Sequence, residues 1–215
     1  LTRHDPLKGR QELQIRCLDE PARRRLYGES PLFIFDPHDD RNRPDPEEHA
    51  AALLMWPIYP RSLQELFIQT FGPGMVAPQQ RVLTGQWMEG LAAVLDRAQL
   101  CPHCTAEQFG AQYSCWHCGQ PLNAGPALRT AHGLVMASPG NELHPHHFNN
   151  LEAPRLDQPL GRVVSHPSDP TLLGLCNLSD QPWRATTTTG QQQAVDPGRT
   201  CNLAALQQLD TPWGA

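Results

Sequence analysis

Cys101-Pro102-His103-Cys104 and, after a ten-residue spacer, Cys115-Trp116-His117-Cys118 make two C-x-x-C pairs near the middle of a 215-residue chain. Each C-x-x-C turn sets two sulfurs on one side of a tight knuckle, with backbone N–H groups aimed at them, and two knuckles face to face complete a tetrahedron. Four soft, anionic ligands favour Zn2+, and a closed shell of four sulfurs leaves no position for water, so the predicted site is structural rather than catalytic. Iron in a rubredoxin-like centre uses the same ligand set, and the sequence leaves that choice open. A redox dithiol needs one pair, preferably at a helix start in a βαβ unit, which two pairs this close do not fit. His103 and His117 lie inside knuckles already supplied with two thiolates and are expected to face solvent. The stretch from 101 to 121 is too short and too polar to fold by burial, so a cross-link is physically required.

The pattern differs on the two sides of this ribbon. Before it, the periodicity is helical: Glu12 to Leu18, ended by Pro21; Glu47 to Met55, stopped before Pro57; Ser62 to Phe71, opened by a Ser62/Glu65 capping-box pattern; and Thr84 to Ala98, with Trp87, Leu91, Val94 and Leu95 as its buried stripe. The run from Pro31 opens with a strand-like apolar stretch and becomes a proline-punctuated loop. After Pro126, short apolar runs alternate with turn residues: Leu134 to Met136, Gly161 to Ser165, Leu172 to Cys176, Trp183 to Thr188 and Leu203 to Leu206. Turns are expected at Pro139-Gly140, Asp169-Pro170, Thr189-Gly190 and Pro197-Gly198. That spacing suits a small β-sandwich or barrel. The predicted class is α+β, in three parts: a helical segment over 1–99, a zinc ribbon over 100–122 and a β-rich domain over 126–215.

Composition narrows the functional classes. With 22 prolines, 16 glycines and an apolar share of 39%, the chain suits small units in series rather than one large core. Net charge is −5, and residues 101–121 contain no Lys or Arg, so neither a nucleic acid nor an anionic membrane is the expected partner. No apolar run reaches the ~18 residues of a membrane span, and no signal-peptide pattern opens the chain; a cytoplasmic location is expected. Of seven cysteines, Cys17, Cys176 and Cys201 stand outside the ribbon and read as small hydrophobes. His144, His146 and His147 share one turn, without a thiolate or carboxylate partner visible in the sequence, and are expected to face solvent rather than hold a second metal. The first residue is not Met and the opening motif begins as if in mid-domain, so a fragment of a longer protein is expected.

Two stretches of the helical part carry a resemblance. Arg3-His4-Asp5-Pro6-Leu7-Lys8-Gly9-Arg10 resembles the turn that ends the long central helix of a protein kinase C-lobe. Tyr59-Pro60 to Phe71, with Arg81-Val82-Leu83-Thr84 and Trp87, resembles its last helices. Between them, Cys17 to Pro21, Leu26-Tyr27-Gly28 and Phe33 to Pro37 look like the large insert of bacterial serine/threonine kinases from tellurite-resistance-type cassettes, which accompany a phosphatase and a von Willebrand A protein. In that group a zinc ribbon and a forkhead-associated-like β domain often follow the kinase. In the β part, Leu143 to Phe148, Gly174 to Ser179 and Val195 to Leu203 resemble a forkhead-associated domain.

The resemblance implies the C-terminal regulatory or adaptor region of a serine/threonine kinase, with protein partners that include a cognate phosphatase and a von Willebrand A protein. It implies that Arg81 pairs with a glutamate upstream of this sequence; an ordinary surface arginine is the alternative. No glycine-rich loop, strand lysine, catalytic aspartate or metal-binding aspartate can be assigned: Lys8, the sole lysine, stands in a D-P-L-K-G turn. The chain alone is therefore not expected to transfer phosphate. Where the forkhead-associated pattern has Gly-Arg and a serine, this sequence has His132-Gly133 and His144 or Pro145, which argues against phosphopeptide binding. The alternatives are a stand-alone zinc-dependent scaffold without kinase ancestry and a zinc-ribbon nucleic-acid binder.

Overall fold

The helices form with shifted boundaries, and the reasons are local. In the computed structural model, which describes residues 3–109, 113–122, 125–148 and 156–214, the first expected helix, Glu12 to Leu18, is helical only at its first two residues. Arg10–Leu13 (α1) is a single turn, and Glu20–Arg24 (α2) is a new helix that runs into a π-turn over Arg25–Glu29. Asp19 accepts the Ala22 N–H at 2.9 Å as the cap of α2. Pro21 therefore starts a helix instead of ending one, because a first-turn N–H has no intrahelical partner to lose. Ala50–Met55 (α3), Arg61–Phe71 (α4), Pro73–Val76 (α5) and Thr84–Asp96 (α6) follow. The capping box before α4 does not form: Pro60 is the cap, Ser62 lies inside the helix, and Glu65 pairs with Arg61 at 3.1 Å.

The chain folds as two units, Leu1–Gly90 and Leu91–Ala215. The first is centred on Phe33, Ile34, Phe35 and Ala52, all buried, with Trp56, Phe67 and Phe71 packed against them. Phe35 and Trp56 stack at 4.4 Å, and Phe33 meets Trp56 edge-on at 5.8 Å. The 33–35 run, strand-like by sequence, is a turn buried among aromatic rings. Beside it Asn42, 2% exposed, donates to the carbonyls of Leu7 and Leu32 and accepts the Gln11 N–H, tying three separate loops together.

The second unit is β-rich. Its strands are Ala98–Leu100 (β1), Glu107–Phe109 (β2), Ala127–Thr130 (β3), Gly133–Met136 (β4), Glu142–Leu143 (β5), Gly161–His166 (β6), Asp169–Asn177 (β7), Trp183–Thr187 (β8), Gln192–Val195 (β9), Thr200–Asn202 (β10) and Leu206–Asp210 (β11). All pairings are antiparallel: a four-stranded sheet β10-β7-β6-β5, a three-stranded sheet β11-β8-β9, and two hairpins, β1-β2 and β3-β4. The two larger sheets contribute to one core of Val163, Leu175, Trp183, Ala185, Val195 and Cys201, as alternate residues of half-buried strands must. A side chain at Gly161 would put its Cβ 2.7 Å from the Trp183 ring, so the absence of one there is a packing requirement.

Of the expected strands, 203–206 is a 3-10 turn leading into β11, and β1, β2, β3, β5, β9 and β10 are additional. Asp169-Pro170 begins β7 rather than forming a turn, whereas Gly140, Gly190 and Gly198 have the positive φ of the turns expected at them. The architecture is α+β, with a helical region and several antiparallel sheets. Among the described residues no helix is long and apolar enough to cross a membrane.

Candidate metal centre

The two knuckles share one backbone design. In the first, the loop of hairpin β1-β2, Cys101 N–H donates to Ala106 O and Thr105 N–H to Cys101 O, each at 2.9 Å. In the second, Cys115 N–H donates to Gln120 O at 2.8 Å and Gly119 N–H to Cys115 O at 2.9 Å, closed by an antiparallel bridge between Ser114 and Pro121. Both C-x-x-C pairs are turns; neither opens a helix, as a thioredoxin-like dithiol would require.

The sulfurs converge as the spacing predicts. The four Sγ atoms lie within 4.8 Å of one another, with Cys101 to Cys118 at 3.7 Å and Cys104 to Cys115 at 3.6 Å. A Zn–S bond of about 2.3 Å gives a tetrahedron with sulfur edges of about 3.8 Å, whereas a disulfide holds its sulfurs at about 2.05 Å. The cluster thus has the donor set and spacing of a structural Zn2+ site. Cys101 and Cys115 are buried, while His103 and His117 are exposed on the outer side of their knuckles.

Electrostatics single out one sulfur. Burial pushes the Cys115 thiol up, but the N–H groups of Cys118 and His117 and the neighbouring thiols of Cys118 and Cys104 outweigh it and bring it down to about 6. Cys104 is favoured as a thiolate by the Ala106 N–H, yet burial and the three other sulfurs push it up to about 12. Cys115 is thus the sulfur whose thiolate the surrounding N–H groups favour. Gln108, which the sequence reading passed over, also reaches this sulfur: its Nε2 donates to Cys115 Sγ at 3.2 Å.

The histidine turn departs from expectation. His144 and His147 are 6% and 2% exposed, and both have carboxylate partners: His147 Nε2 meets Asp96 Oδ1, distant in sequence, at 3.1 Å, and His144 Nε2 lies 3.4 Å from Oε2 of nearby Glu142. Asp96, His146 and His147 come within metal-binding reach of one another. However, His147 Nδ1 accepts the His144 backbone N–H at 2.9 Å, which places the ring proton on Nε2, facing Asp96. A metal on Nε2 would displace that proton and force one onto Nδ1, against the His144 N–H. The arrangement is therefore a buried hydrogen-bonded pair.

The remaining sequence candidates lie apart from the cysteines. His132 lies in the two-residue turn of hairpin β3-β4, and Gly133 begins β4. Asn177, fully buried, donates to Gln181 O and Val195 O and accepts from Ser179 N and Oγ, so its amide is consumed in holding loops together. Arg81 donates from Nε to Gly74 O at 2.8 Å across α5. In the helical unit a cavity of about 190 Å³ is walled by Phe33, Phe35, Trp56 and Phe67, and no carboxylate or thiol lines it. No family model, curated protein or solved structure matches the chain.

Proposed function

We propose that the chain is the non-catalytic C-terminal regulatory and adaptor region of a bacterial serine/threonine protein kinase. In this reading its parts are the end of a kinase C-lobe, a zinc ribbon and a forkhead-associated-like β domain, working in the cytoplasm by protein–protein contact. The observation that carries the proposal is the closed four-sulfur cluster. Four thiolates complete a zinc shell, so the ion staples the chain and offers no position to a substrate. Its binding energy, of order 10–16 kcal/mol in small zinc peptides, is folding energy for residues 101–121. The absence of Lys and Arg from that stretch disfavours a phosphate-binding face and leaves protein contact as the better use of the ribbon.

Support for the kinase-remnant reading comes from the helical unit, where Leu54, Val76 and Leu83 are 55%, 89% and 71% exposed. Apolar side chains left in solvent suit a C-lobe end whose partner helices lie elsewhere. The alternative, a stand-alone zinc-dependent scaffold, draws on the core that the same unit does bury around Phe33, Ile34 and Phe35. Calorimetric titration of the zinc-loaded chain with a purified phosphatase and a purified von Willebrand A protein of the tellurite-resistance type tests the adaptor role. Saturable binding by either protein, lost after chelation, is expected. Heat-silent mixing with both, confirmed by co-elution on a sizing column as non-binding, would reject it.

A further inference from the structure

Gln108 is 0% exposed on β2, opposite Gln99 of β1. A primary amide is costly to bury unless its atoms are paired. Here each end is paired: Nε2 donates to Cys115 Sγ at 3.2 Å and to Ala106 O at 3.0 Å, and Oε1 accepts the Trp116 N–H at 3.4 Å. The side chain thus runs from the hairpin that carries Cys101 and Cys104 to the knuckle that carries Cys115 and Cys118. Trp116 closes the same gap from the other side, its Nε1 donating to Glu107 O at 2.7 Å.

The charge on the cluster explains why a donor is needed there. Four thiolates around a divalent ion leave two net negative charges, and no Lys or Arg between 101 and 121 offsets them locally. The compensation must come from N–H dipoles, and Cys115 Sγ collects those of His117 at 3.3 Å and Cys118 at 3.5 Å besides the Gln108 amide. The two backbone donors come with any C-x-x-C turn; the Gln108 donor is specified by a side chain and can be removed.

We propose that Gln108 is a positioning residue of the zinc centre: its amide N–H carries part of the negative charge of Cys115 and so sets how tightly the ion is held. The inference rests on the four-sulfur zinc reading. Removing a hydrogen-bond partner of a metal ligand typically lowers affinity about 10–100-fold, and that loss is expected here. Gln108→Met keeps the length and removes the donor. Gln108→Glu keeps an oxygen for the Trp116 N–H while setting a carboxylate oxygen against the sulfur.

The test measures zinc affinity by competition with a chromophoric chelator, and the sulfur-to-metal charge-transfer band of the Co2+-loaded protein, for wild type and both variants. The expected affinity order is wild type, then Gln108→Met, then Gln108→Glu. The Co2+ band should move to longer wavelength in Gln108→Met, because an uncompensated thiolate gives up an electron more readily; a purely structural glutamine would leave the band in place. If Gln108→Met fails to fold, the near-isosteric Gln108→Glu decides. Wild-type affinity and an unmoved band in the folded variants would overturn the role of Gln108 alone, whereas a wild-type chain that takes up neither metal would overturn the zinc reading itself.

Discussion

Thr105 occupies in the first knuckle the place that Gly119 occupies in the second, and both have left-handed backbone, with φ of 58° and 72°. Each follows the second cysteine of its pair, where the chain must turn back to let the next residues close the knuckle. Glycine enters this region freely, but a β-branched residue there is an outlier that costs about 1–2 kcal/mol. The first knuckle therefore holds its turn at a conformational cost that the second does not carry, and the closed sulfur cluster is what holds it.

That asymmetry predicts opposite responses to exchange. Thr105→Gly should keep full zinc binding and stabilise the zinc-loaded ribbon by up to about 1 kcal/mol, less the contribution of the Thr105 Oγ1 bond to Cys104 O. Gly119→Val should destabilise it by about 1–2 kcal/mol. Thermal unfolding of the zinc-loaded proteins reads both, and equal effects from the two substitutions would contradict the account.

Asn177 makes four hydrogen bonds from a fully buried position at the end of β7. Asn177→Ala should lower the unfolding free energy by about 2–4 kcal/mol, since it removes four hydrogen bonds at a fully buried position and takes the side-chain partner from the Val195 carbonyl and the Ser179 N–H. Urea unfolding is the measurement. A loss below about 0.5 kcal/mol, the range of an ordinary surface change, would show that water replaces these bonds without penalty.

Burial lowers the His144 pKa, with Glu142 and Asp96 pulling it up and His147 pushing it further down. The folded value lies below the unfolded one, so the unfolded chain binds the proton more readily. The His144 contribution to stability is complete above the unfolded value, about 6.5, and is lost as pH falls from there towards the folded value. Urea unfolding at about pH 7.5 and 5.5 should show a smaller acid loss in His144→Gln than in wild type. Zinc release from the thiolates is common to both proteins and cancels in the comparison. An identical acid loss would remove His144 from the explanation.

How far the sequence announced this structure depends on whether the signal was local. The cysteines did, because a C-x-x-C turn fixes its own geometry, and β6, β7 and β8 did, because apolar runs closely bounded by turn residues mark strands. The Phe33 to Phe35 run misled because a short apolar stretch carries no period; its burial among Trp56, Phe67 and Phe71 comes from segments 20 or more residues away. The carboxylate facing His147 is 51 residues away, so the turn looked solvated. Gln108 was invisible for another reason. A single glutamine in a polar segment reads as surface until the fold lays it across two knuckles, although its place between Glu107 and Phe109 on a three-residue strand was the one available hint.

The most direct measurement is zinc content and thermal unfolding of four single substitutions, Cys101→Ser, Cys104→Ser, Cys115→Ser and Cys118→Ser, beside the intact chain. One zinc per intact chain is expected, with each serine variant losing stoichiometric zinc and the unfolding transition of the ribbon, while β-core fluorescence from Trp183 persists. A variant that kept both its zinc and its melting profile would show that its sulfur is not a ligand and that something other than a shared ion holds the two knuckles together.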